Sequence, residues 1–249
     1  MRRPRAELPR IYELKDLIAD PKSSDAYFQN FEENLKKFAD IKAVYLRWEL
    51  LLEELDAEAW EHLKKEAAPR LTKRDKMGRG WGQLFDILNE ARAYRYLRSI
   101  GCTVVRFIPR SHTRTPDLEG VLGQDHVLCE VKTINPSDGE VEVRIGPPRV
   151  RSLPLGITPE FLRKLLATVE SAQRQMQVYD PCGSAAIHFV YLNVNFDDFF
   201  AECKEAYFQQ IDRYLETAQV SGIRLVVCND HTAFYKPLQM RCAHVDNCG

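Results

Sequence analysis

Apolar and polar positions along the chain alternate between helical and strand-like periods from residue 83 to residue 228. Apolar residues at helical spacing predict helices over 83–99, 158–179 and 199–218. Runs of strand length, apolar or alternating, predict strands over 103–108, 117–122, 127–133, 185–194 and 223–228. Interleaved helices and strands of this kind indicate an α/β fold.

The first seventy residues have a different pattern. Residues 1–24 contain Pro4, Pro9 and Pro21, and we expect irregular structure there. Residues 25–67 show helical spacing, which predicts a helical hairpin packed on the core. An arm that binds a partner protein or a second copy of the chain is the alternative. We divide the chain into a helical region (1–70), a core (71–230) and a tail (231–249).

The predicted strands over 117–122 and 127–133 form a hairpin, with a turn at 123–125. Side chains alternate along a strand, so Glu130 and Lys132 share one face, and Asp117 opens the neighbouring strand. The hairpin can therefore bring two carboxylates and one ammonium together. Such a group can bind Mg²⁺ (or Mn²⁺) and place a water for attack on phosphorus.

Two further polar residues lie at apolar helix faces. Glu90 borders the stripe of the 83–99 helix, where an acid needs a partner. Gln173 falls inside the stripe of the 158–179 helix. Because a buried amide also needs a hydrogen-bond partner, an active site is one candidate surrounding for Gln173.

Pro116-Asp117 and Glu130-Val131-Lys132 resemble the two motif elements of the PD-(D/E)XK nuclease superfamily. The resemblance covers roughly residues 80 to 230 and implies a restriction-endonuclease-like core, a mixed central sheet flanked by helices. It implies Asp117 and Glu130 as metal ligands, Glu90 as a further metal-site residue, and Lys132 as the group that positions water or stabilises charge. Gln175 and Tyr179 also fit a Q-x-x-x-Y pattern that resembles the RecB-like branch of the superfamily.

Charge is distributed unevenly along the chain. Residues 63–114 carry 13 Lys and Arg against 4 Asp and Glu, although the whole chain has a formal net charge of −1. This basic segment leads into the candidate site, and a polyphosphate partner requires such a surface. A solvated helix face is the alternative interpretation. The candidate nucleic-acid-binding residues are Lys73, Arg74, Lys76, Arg79, Arg110, His112 and Arg114.

A second metal site at the end of the chain is not expected. The residues Cys228, His231, Cys242, His244 and Cys248 offer zinc-type ligands, but their spacing matches no standard zinc finger. We therefore interpret Cys228 as a strand residue followed by a loose tail. Neither an export signal nor a membrane-spanning run is visible, so we expect the seven cysteines to be reduced thiols in the cytoplasm.

These features favour a metal-dependent nuclease that hydrolyses the phosphodiester bonds of DNA. Two alternatives stay open. The first is an RNA-directed nuclease of the same fold. The second is a catalytically silent nuclease-like module that binds nucleic acid or a protein through the N-terminal helices.

Overall fold

A computed structural model describes most of the chain. The described residues are 4–74, 81–111, 114–135, 157–185, 187–194, 204–218, 222–228 and 241–243. They form two compact units that divide after Ile100. Among them, no helix has both the length and the hydropathy needed to cross a bilayer.

The first unit is helical. Its helices are α1 (Pro4–Glu7), α2 (Pro9–Asp16), α3 (Phe31–Lys37), α4 (Ala39–Glu53), α5 (Ala57–Ala67) and α6 (Gly82–Ser99). The prediction of irregular structure over 1–24 is therefore wrong for α1 and α2. The reason is that Pro4 and Pro9 open these helices, at positions where proline loses no intrahelical hydrogen bond.

Aromatic residues fill the centre of the first unit. Tyr27, Phe28, Phe31 and Tyr45 form edge-to-face and tilted pairs with ring centroids 4.9–6.4 Å apart. Such pairs add about 0.5–1.5 kcal/mol each beyond the burial of their surface. The helical spacing of the aromatic positions in 25–67 thus reflects packing inside this unit.

Helix α6 belongs to the helical unit, whereas the sequence interpretation placed it in the core region that begins at 71. Asp56 caps the N-terminus of α5 by accepting from the Ala59 N–H at 2.8 Å. Its other carboxylate oxygen accepts from the Tyr94 hydroxyl of α6 at 2.9 Å. Arg95 of α6 also pairs with Glu54 at 3.1 Å. These polar contacts to the N-cap of α5 and the C-cap of α4 join α6 to the rest of the helical unit, and sequence periodicity cannot show them.

The second unit is built on one mixed sheet. Its strands are β1 (Thr103–Phe107), β2 (Leu118–Leu122), β3 (Asp125–Ile134), β4 (Ile187–Val194), β5 (Arg224–Cys228) and the short edge strand β6 (Arg241–Ala243). They lie side by side in chain order. The pairs β1–β2 and β2–β3 are antiparallel, β3–β4 and β4–β5 are parallel, and β5–β6 is antiparallel. The predicted α/β class is confirmed.

Two helices, α7 (Pro159–Tyr179) and α8 (Lys204–Thr217), contribute to the core of this unit. Thr158 caps α7 through a hydrogen bond from the Phe161 N–H, and Pro159 opens the helix. The apolar stripe of α7 is fully buried with residues of β3, β4, β5 and α8. The stripe comprises Leu165, Val169, Ala172 and Met176. This packing sets the rotation of α7, and hence which of its polar side chains lie along β3.

Candidate active site

The β2–β3 hairpin positions Asp117. The Asp117 N–H donates to the Cys129 carbonyl at 3.1 Å, and the Asp117 carbonyl accepts from the Ile108 N–H at 2.9 Å. Its carboxylate Oδ2 accepts from the Val131 N–H at 2.7 Å. Backbone and side chain are thus both tied to neighbouring strands, which holds the carboxylate beside β3.

Glu130 and Lys132 lie on one face of β3, as the alternation of strand side chains predicts. Glu130 is 2% exposed, whereas the three residues after it on β3 are half-buried. The Lys132 ammonium donates a hydrogen bond to Glu130 Oε1 and retains 27% side-chain exposure. The pair therefore combines a buried acid with a cation that solvent still reaches.

Gln175, and not Gln173, completes this cluster. The Gln175 amide nitrogen donates to Glu130 Oε2 at 2.9 Å and to the Thr115 carbonyl at 2.6 Å, while its oxygen accepts from Lys132 at 3.3 Å. The predicted Gln173 lies instead beside Gly222, two residues before β5 begins. Two residues of helix rotate a side chain by about 200°, and the buried stripe turns Gln175 toward β3. The Q-x-x-x-Y pattern was the sequence signal for Gln175.

The two carboxyl groups interact strongly. Burial and, after it, the negative charge of Asp117 raise the pKa of Glu130 to about 8, against the attraction of Lys132. Burial also raises the pKa of Asp117, while the Val131 N–H and a hydrogen bond with the Glu130 carboxyl oppose the rise. Without a cation, the pair therefore favours one bound proton, on Glu130, below about pH 8.

This donor set fits a hard divalent cation. Mg²⁺ is commonly bound by one or two carboxylates, with waters completing its octahedron. Asp117 and Glu130 supply two close carboxylates whose mutual repulsion a cation would relieve. Among the described residues, no group of three or more His, Cys, Asp or Glu side chains is arranged to hold a metal ion. A site here thus consists of this carboxylate pair with waters.

Other predicted site residues have separate positions. Glu90 is buried on α6, in the helical unit, so its predicted place at the metal site stays a prediction. Arg110 is exposed, and its positive charge opposes the rise in the pKa of both Asp117 and Glu130. Arg114 is exposed in the same unit as the carboxylates.

The remaining predicted basic residues are in the helical unit or outside the described chain. Lys73 and Arg74 are exposed, and the Arg74 guanidinium lies over the Trp81 ring, 5.3 Å from its centroid. Lys76, Arg79 and His112 lie outside the described residues.

The structure leaves the terminal cysteine and histidine residues largely undescribed. Cys228 ends β5, and its thiol approaches Asn193 Oδ1 at 3.6 Å. Cys242 lies on β6. His231, His244 and Cys248 lie outside the described residues, so the expectation of no zinc here stays a prediction.

Comparison with known proteins adds nothing to this geometry: no protein-family model, no curated protein and no solved structure matches the chain.

Proposed function

We propose that this protein is a divalent-metal-dependent nuclease that hydrolyses phosphodiester bonds of DNA. The observation that carries the proposal is the close carboxyl pair of buried Glu130 and half-buried Asp117, with the Lys132 ammonium hydrogen-bonded to Glu130. Burying the Glu130 carboxyl beside a second carboxyl and a half-buried ammonium costs free energy that an ordinary core avoids. Clusters of this kind are typical of functional sites.

Each residue of the site has its own role in the proposed reaction. Asp117 and Glu130 would hold Mg²⁺ or Mn²⁺, which supplies a Lewis acid and a bound water of lowered pKa. Lys132, fixed by Glu130 and Gln175, presents its ammonium where negative charge develops on the phosphoryl oxygens. Gln175 orients the Glu130 carboxylate and ties it to the Thr115 carbonyl.

The fold agrees with a restriction-endonuclease-like core. An antiparallel hairpin carries the carboxylates and continues into parallel strands β4 and β5, with α7 between β3 and β4 in sequence. This is the element order that the PD-(D/E)XK resemblance implies, and it supports the proposal that the chain belongs to that superfamily.

A nucleic-acid substrate suits the charges around the site. Arg110 and Arg114 are exposed in the loop that leads to Asp117. Exposed arginines next to a carboxylate pair can hold phosphates on either side of the scissile bond. We propose DNA as the substrate, and RNA is an outcome of the test.

A cleavage assay tests the proposal. The full chain is incubated with end-labelled single- and double-stranded DNA and RNA, in Mg²⁺, Mn²⁺ or EDTA. We expect DNA to be cut only with a divalent cation, and Lys132→Ala to cut at least ~10²-fold more slowly. The matched control is Arg163→Ala, which removes an exposed cation paired with Glu160. Cleavage of RNA alone would replace the substrate, and full activity of Lys132→Ala would refute the mechanism.

A further inference from the structure

A polar row of α7 runs along the C-terminal half of β3, away from the candidate site. It recurs at helical spacing and so occupies one helix face: Lys164, Thr168, Ser171 and Gln175. One end contacts Glu130 through Gln175. At the other end, the Lys164 ammonium donates at 3.3 Å to the carbonyl of Asn135, the residue after β3. The two contacts fix the whole row beside β3.

The row differs in charge from the outer face of α7. On the outer face each arginine has an acidic partner: Arg163 pairs with Glu160 at 2.9 Å and Arg174 with Glu170 at 3.9 Å. From Lys164 to Gln175 the polar row contains no acidic side chain, and Glu160, one turn before Lys164, is held by Arg163. Within the part of the chain that the structure describes, Lys164 has no ion-pair partner. It is exposed, so its ammonium is available to an anion from solvent.

Between Lys164 and Gln175, the side chains of the row are small and uncharged. Thr168 and Ser171 are half-buried small hydroxyl residues, and the Thr168 hydroxyl donates to the Lys164 carbonyl of its own helix. No large side chain of the row therefore separates Lys132 from Lys164. From Gln175 to Lys164 the helix rises about 16 Å. A duplex carries one phosphate per about 3.4 Å of its axis on each strand, so this length spans several nucleotides.

Arg110 adds a third cation near the carboxylates, since its charge acts on both Asp117 and Glu130. It follows Ile108, whose N–H binds the Asp117 carbonyl. Arg110, Lys132 and Lys164 thus mark a path from the end of β1, past the carboxylate pair, to the end of β3.

We propose that Lys164 binds a phosphate of the substrate strand several nucleotides from the scissile bond, so that the enzyme cleaves an oligonucleotide more efficiently than a dinucleotide. This inference rests on the proposed nuclease function. One phosphate contact changes log K by about 0.7–0.9 per tenfold change in salt. At 0.1 M salt it therefore contributes about five- to eightfold in affinity relative to 1 M salt.

Binding is measured in a chain that carries Lys132→Ala, which prevents turnover, by fluorescence anisotropy of a labelled 20-base-pair DNA with Mg²⁺. Adding Lys164→Ala is expected to weaken binding about five- to eightfold at 0.1 M salt and to lower the salt slope by about 0.7–0.9. Adding Arg174→Ala instead is expected to change neither quantity, because Arg174 pairs with Glu170 on the outer face. Both substitutions lie on the exposed helix surface, and circular dichroism confirms that the variants fold.

A kinetic readout separates the two proposals. In the parent background, Lys164→Ala should raise KM for the 20-mer and leave kcat/KM for a dinucleotide unchanged. If Lys164→Ala matches the parent in affinity, salt slope and KM while the parent cuts DNA, the Lys164 inference is wrong and the nuclease proposal stands. If the parent neither binds nor cuts DNA, both are wrong.

Discussion

Gln175 of α7 donates a hydrogen bond to Glu130 of β3 at 2.9 Å, and this contact joins the helix to the carboxylate pair. The same amide holds Lys132 and the Thr115 carbonyl, so one side chain orients both a predicted metal ligand and the predicted catalytic cation.

Removal of Gln175 should impair catalysis without unfolding the protein. Groups that orient metal ligands typically contribute 10–100-fold in metal affinity or activity, so Gln175→Ala should lose about that factor in kcat/KM. Gln177→Ala, an exposed substitution on the same helix, is the matched control. Gln173→Ala should cost less than Gln175→Ala, because Gln173 lies near Gly222. The reverse order would restore the original assignment of Gln173.

Stability should depend on pH through Glu130. Its pKa is raised in the folded state to about 8 from 4.5. The proton on Glu130 therefore stabilises the fold fully below about pH 4.5, and this contribution is lost as pH rises through about 8. In EDTA, the free energy of unfolding should fall across this interval by an amount on the order of a few kcal/mol.

Glu130→Gln is the matched variant for the pH experiment, because it keeps the shape of the side chain and cannot ionise. Urea unfolding of the variant should show a flatter pH profile than that of the parent. Mg²⁺ should stabilise the parent more at pH 8 than at pH 6, since it favours the ionised pair. Equal pH profiles in parent and variant would show that Glu130 does not titrate in this way.

The Asp56 carboxylate should contribute more to the stability of the helical unit than the hydroxyl of its partner Tyr94. Asp56 caps α5 and also accepts from the Tyr94 hydroxyl, so Asp56→Ala removes two hydrogen bonds. We expect a loss of about 1–2 kcal/mol from the cap alone. Tyr94→Phe removes one hydrogen bond and should cost about 1 kcal/mol. Denaturant unfolding of both variants checks the order, and a larger loss for Tyr94→Phe would contradict it.

Val104 should be replaceable by glycine with a gain in stability. Its φ is 51°, in the left-handed region, and its side chain is 66% exposed beside an irregularity of the β1–β2 pairing. A left-handed conformation costs an L-residue about 1–2 kcal/mol, while glycine loses about 0.5–1 kcal/mol in chain entropy. Val104→Gly should therefore raise the melting temperature. Thr103→Gly, on the same strand, should lower the melting temperature. A lower melting temperature for Val104→Gly would show that the left-handed backbone at Val104 is not strained.

The sequence predicts the helices and strands better than the side-chain contacts between them. Alternation along 127–133 was enough to place Glu130 and Lys132 on one face, because side chains of a strand have a fixed period of two. The rotation of a helix is harder to predict: Gln173 falls inside the apolar stripe of the sequence, yet packing turns Gln175 to the site. The membership of α6 depends on Asp56 and Tyr94, which are far apart in the chain, and no local pattern reveals such a contact.

Metal binding compared with turnover tests the central claim most directly. Mn²⁺ affinity is measured by calorimetry, and DNA cleavage is measured on the same preparations of Asp117→Asn and Lys132→Ala. Asn at 117 keeps an acceptor for the Val131 N–H, so the hairpin should fold. We predict that Asp117→Asn loses both metal binding and cleavage, whereas Lys132→Ala binds Mn²⁺ and does not cut. Undiminished cleavage by Asp117→Asn, or no Mn²⁺ binding by the parent, would contradict the account.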